Sequence, residues 1–109
     1  MARTYETLFA GSGVELQRGL GRDFVASTVM VRLPKGRLAA VEQALTTEGI
    51  GSRRWWGGGL HRHAAFAGFP CTPTPQTDLL ADSALGLPCW VDLADDEIAQ
   101  ICASVLDAI

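Results

Sequence analysis

The chain has 109 residues, with nine Lys and Arg against twelve Asp and Glu. That length supports one core and excludes two ordinary domains. At 48% hydrophobic and 19% charged residues it is too apolar for a disordered chain.

Tyr5, Leu8 and Phe9 share one helical face, so residues 2–10 read as a short helix stopped by Gly11 and Gly13. Residues 1–13 are taken as the end of an interdomain helix with its turn, and residues 14–109 as one small domain. Val14, Leu16 and Arg18 alternate with Glu15 and Gln17 as a short strand. From Phe24 to Leu33, the residues Val25, Val29, Val31 and Leu33 share one parity and predict the central strand. Pro34-Lys35-Gly36 ends it. Leu38, Val41 and Leu45 form the stripe of a helix from about Arg37 to Glu48, with Gly49 as its C′ residue. Ile50 to Trp56 can form a further strand. Gly57-Gly58-Gly59 demands a loop, since three glycines carry a high entropic cost in any regular element.

Thr74 is placed to cap a helix that has Pro75 at its first position. Leu85 to Trp90, interrupted by Pro88, fits only an edge strand. Ile98, Ile101, Cys102, Val105, Leu106 and Ile109 trace a wide stripe on a last helix, with Asp95, Asp96 and Glu97 at its positive end. Either Asp92 or Ala94 stands at its N-cap. The order predicts an α+β fold: a small, mostly antiparallel sheet with helices packed on one face.

All nine basic residues lie between Arg3 and Arg62, among five acids, whereas the last 47 residues hold seven acids and no Lys or Arg. A basic half suits an anionic ligand, and equally suits two halves that neutralise each other across a fold. The basic residues are too scattered for nucleic acid. No apolar run reaches the roughly 20 residues of a membrane span, and no apolar export signal opens the chain. The three cysteines make no complete disulfide framework. A cytoplasmic protein without nucleic-acid or membrane partners is therefore expected.

Few residues invite chemistry. His61-Arg62-His63 has no Asp or Glu within ten residues and only the single Cys71, too few to complete a metal site. One histidine touching a phosphate or hydroxyl and a solvated loop histidine remain as alternatives. Trp55 and Trp56 face opposite sides if the segment is a strand, one toward the core and one toward a ligand or partner. Lys35 is the only lysine, in a polar turn with nothing nearby to desolvate it. Nothing in the local sequence provides a base for Cys71, Cys89 or Cys102.

Three stretches in order carry a family resemblance. Gly49-Ile50-Gly51-Ser52-Arg53-Arg54-Trp55-Trp56-Gly57-Gly58-Gly59-Leu60-His61 resembles the G-I-x-[ST]-x-x-x-Y-x-x-P-L-H stretch of the DegT/DnrJ/StrS sugar aminotransferases. Pro75 to Pro88 is similar to that family's P-x-[ST]-[DE]-x-L-A-x-x-x-L-S-L-P stretch, and Leu93 to Ile109 resembles its terminal helix. The match runs from about Val14 onward and corresponds to the C-terminal small domain. The resemblance implies part of a pyridoxal-phosphate (PLP) enzyme that aminates a nucleotide-linked keto sugar, usually with glutamate as donor. The cofactor lysine and the phosphate-binding residues would belong to a large domain, in cis or trans, so this part would hold no cofactor and would be inactive by itself. The parent would be a homodimer. His61 would approach the nucleotide-sugar, with Trp56 in the place of the family tyrosine. Arg53 and Arg54 are adjacent candidates for phosphate charge or plain surface arginines, and Gly59 replaces the family proline. A freestanding dimerisation or ligand-binding module without catalysis is the alternative.

Overall fold

Val29 and Val31 lie two residues apart, so a strand points both to one side, and both are buried while Met30 and Arg32 are half-buried. The computed structural model, which describes residues 1–55 and 57–109, places them in β2 (Val29–Arg32) at the centre of a three-stranded antiparallel sheet. One neighbour is β1 (Glu15–Leu16) and the other β3 (Ala84–Leu87). The register sets Val29 opposite Leu87 and Val31 opposite Leu85, so four aliphatic side chains meet on the core face. On the other side Glu15 pairs with Arg32, and their side chains form an ion pair.

Three helices complete the core. α1 (Ala2–Phe9) contributes Tyr5 and Phe9, α2 (Leu38–Thr47) contributes Leu38, Val41 and Leu45, and α4 (Asp95–Asp107) contributes Ile98, Ile101, Cys102 and Val105. α1 and α2 both pack against α4. Each fully buried aliphatic side chain here is worth about 1.5–3 kcal/mol against exposure. Tyr5 also crosses the core to donate its hydroxyl to the Pro88 carbonyl at 2.9 Å. The fold is the α+β layer expected from the sequence.

The strands are shorter than their patterns suggest: the one read over Val14–Arg18 forms at Glu15–Leu16, and the one read over Leu85–Trp90 ends at Leu87, before Pro88. The one predicted over Phe24–Leu33 forms only at Val29–Arg32, and Val25 is fully exposed. The residue after Leu87 is Pro88, which has no N–H to extend the ladder beyond Val29. Phe24 makes instead a single bridge to Leu20. The strand expected over 50–56 reduces, among its described residues, to one reciprocal bridge. Arg53 donates to the Gly86 carbonyl at 3.0 Å and accepts from the Gly86 N–H at 2.8 Å. A Cβ at Gly86 would lie 2.6 Å from Thr28 Cγ2 and 3.2 Å from the Arg53 oxygen, so glycine permits this approach.

The N-cap of α4 is Ala94, whose N–H donates to the Glu97 carboxylate at 2.9 Å. Asp92 plays no such part. Thr74 precedes α3 (Pro75–Ala81) but makes no capping hydrogen bond; its hydroxyl is turned toward His61.

Candidate functional site

The glycine loop leads into two turns of 3-10 helix, Leu60–Arg62 and Ala64–Phe66, and the chain then runs without regular structure to α3. Gly59 has φ +90° and ψ 158°, a conformation open in practice only to glycine. It brings the His61 ring against the backbone: a Cβ at Gly59 would lie 2.8 Å from its Cε1 and 2.9 Å from its Nδ1.

His61 is anchored by groups from α3. Its Nε2 lies 2.8 Å from Asp78 Oδ1, with the Thr74 hydroxyl 3.4 Å away. Arg62 reaches the same Asp78 oxygen at 2.7 Å and Asp82 Oδ1 at 3.2 Å. The His61 hydrogen bond and the Arg62 charge hold the Asp78 carboxyl below the usual carboxylate range. The basic and acidic halves of the chain therefore meet here. Exposed pairs of this kind contribute little to stability; their effect is to orient the loop.

Beside this cluster opens a cleft of about 770 Å³. Leu60, Phe66, Phe69 and Pro70 give it an apolar wall, while His61, Thr74 and Thr77 supply its polar groups. Leu60 and Phe69 remain largely exposed, and the rings of Phe66 and Phe69 meet at 6.1 Å. An apolar cleft with a few convergent polar groups is the usual form of a ligand site.

Arg53 and Arg54 do not line this cleft. The Arg53 guanidinium stacks 5.1 Å from the centre of the Trp55 ring. Arg54 is held by the Glu42 carboxylate, with Nε 2.8 Å from Oε1 and a second short contact through Nη2. Trp55, one of the two tryptophans between which a core role was divided, is 45% exposed and not part of the core. Trp56 lies outside the described residues. Sequence reasoning missed Asp78, because a search within ten residues of His61 stops short of a partner seventeen positions on. The available signal was Asp78 and Asp82 on one helical face downstream of a His-Arg pair.

Among the described residues no group of three metal-binding side chains converges. Lys35 is exposed in a turn whose next residue, Gly36, has φ +79°. The acids that line a cleft with it are already engaged, Glu15 by Arg32 and Asp82 by Arg62, and the Ser83 hydroxyl donates to the Leu79 carbonyl. These residues do not fit PLP, which requires a desolvated amine, phosphate donors and a partner for the pyridine nitrogen. Cys102 is buried in the core, where desolvation pushes its thiol up to about 11. Cys71 is exposed and Cys89 partly so.

A small three-stranded antiparallel sheet packed with helices defines an α+β fold. The chain superposes on DesI, solved in the presence of its TDP-sugar product, with TM-score 0.84 and 24% identity over 96% of this chain and 28% of that one. A protein from Bacillus cereus ATCC 10987 assigned as a PLP-dependent aminotransferase gives TM-score 0.82 and 19% identity, over 94% and 29%. A DegT DnrJ EryC1 StrS aminotransferase from Brucella abortus gives 0.71 and 18%, over 95% and 28%. The chain thus spans under a third of the length of these structural relatives. No curated protein sequence matches it. Residues 1–106 match the model of the DegT/DnrJ/EryC1/StrS aminotransferase family, and the chain belongs to that family.

Proposed function

We propose that this chain is the C-terminal small domain of a PLP-dependent aminotransferase acting on a nucleotide-linked keto sugar. Residues 1–13 are the end of the helix that enters it, and residues 14–109 form the domain. The observation that carries the reading is His61, fixed at the mouth of an apolar cleft in a chain of this family. A large domain, in cis or trans, supplies PLP and its lysine, because Lys35 is unsuited to either role. The chain is inactive by itself, and the parent is a cytoplasmic homodimer. No helix among the described residues is long and apolar enough to cross a membrane.

The domain binds and orients. His61 and the glycine loop close one side of the sugar site, and the apolar wall excludes water from it. Arg54 is committed to Glu42 and would have to leave it to meet a phosphate. The test is a chimera in which this chain replaces the matching segment of DesI. Transfer of an amino group to a nucleotide-linked keto sugar supports the reading. A folded, PLP-loaded chimera that reacts with glutamate but with no keto sugar overturns it in favour of a non-catalytic module.

A further inference from the structure

Asp78 does more than balance Arg62. We propose that it is a positioning residue that fixes the proton of His61 on Nε2 and leaves Nδ1 as a bare acceptor, so that this loop takes a hydroxyl of the ligand and not its phosphate. An ionised carboxylate only accepts, so a hydrogen bond at 2.8 Å from Asp78 Oδ1 requires the proton on Nε2. Arg62, 2.7 Å from the same oxygen, favours the ionised carboxylate. In the neutral ring Nδ1 then offers a lone pair, and it has no hydrogen-bond partner among the described residues. It lies on the Gly59 side of the ring, and Gly59 and His61 both line the cleft.

The charge around the ring points the same way. Arg62 is shared between Asp78 and Asp82, so its guanidinium is already matched by carboxylates. A phosphate would meet a lone pair and no uncommitted cation of this pair. A sugar hydroxyl brings the proton that Nδ1 lacks.

The inference rests on the proposed function for the identity of the ligand and can fail separately from it. The test is the tautomer of His61 in the 15N-labelled chain at pH 8, read from two-bond proton–nitrogen correlations, with His63→Gln to remove the other histidine. The Nε2–H form is expected. It should give way to mixed tautomers in Asp78→Ala and return in Asp78→Glu. Added dTDP-glucose should move the Nδ1 resonance, whereas dTDP and inorganic phosphate at the same millimolar concentration should leave it in place. An Nδ1–H ring in the parent chain, a tautomer indifferent to Asp78→Ala, an equal response to dTDP or phosphate, or no response to dTDP-glucose would each overturn the inference. The family reading would still stand on the turnover of the chimera. Conversely, an inert chimera with the expected tautomer and shifts would defeat that reading alone.

Discussion

Replacing Tyr5 with phenylalanine removes one oxygen from the centre of the molecule and leaves the ring packing in place. The Tyr5 side chain is fully buried, stacks 6.1 Å from Phe9, and its hydroxyl donates to the Pro88 carbonyl at 2.9 Å. Loss of such a bond costs about 0.5–1.5 kcal/mol net, and more if the carbonyl stays dry and unpaired. A change of about 1 kcal/mol lowers Tm by roughly 4 °C in a domain near this size. Alkali provides a second signature. Burial, followed by the nearby Cys102 and Cys89 thiols, raises the Tyr5 phenol well above its ordinary value. The unfolded chain therefore releases this proton first, from a pKa of about 10. The stabilisation is complete below about pH 10 and is lost as pH rises toward the folded value, at about 1.4 kcal/mol per pH unit. Tyr5→Phe lacks this loss, so the two stability curves should converge near about pH 11. Urea unfolding followed by tryptophan fluorescence from pH 7 to alkali reads both effects. A variant as stable as the parent at pH 7, or curves that stay parallel through the alkaline range, would refute the assigned burial and bond.

The Ser104 hydroxyl is buried without a hydrogen-bond partner among the described residues, so Ser104→Ala should raise stability by up to about 1 kcal/mol in the same assay. Ile98 is fully buried on α4, and Ile98→Ala should cost about 2–5 kcal/mol in urea unfolding. Val25 shares strand parity with Val29 yet is fully exposed, so Val25→Ser should change stability by less than about 0.5 kcal/mol. A large loss there would restore the longer strand.

Where a periodic pattern met a partner long enough to use it, the fold was legible from the sequence. The α4 stripe runs for three turns, and Ile98, Ile101, Cys102 and Val105 are all buried on it. Val29 and Val31 read correctly for the same reason. Val25 did not, because parity records which residues would share a face and not whether a neighbouring strand continues beside them; Pro88 decides that from another part of the chain. Of the side chains gathered around the candidate cleft, the sequence reading singled out His61 as a ligand contact. Its anchors come from α3, across the loop, and the decisive conformation at Gly59 reads in sequence as mere looseness. In the structure the glycine instead lets the ring lie against the backbone, where Asp78 fixes it.

The central claim is that His61 belongs to the sugar side of an aminotransferase site while the cofactor is held elsewhere. Single-turnover kinetics of the two half-reactions in the DesI chimera, with His61 and with His61→Ala, test it most directly. Loss of a positioning hydrogen bond is worth about 0.5–1.5 kcal/mol when neutral and up to about 3 when charged. The nucleotide-sugar half-reaction should therefore slow by roughly 2- to 13-fold, and by up to about 160-fold if the bond carries charge. The glutamate half-reaction should keep its rate. Equal slowing of both would make His61 a structural residue, and no slowing of either would remove it from the site.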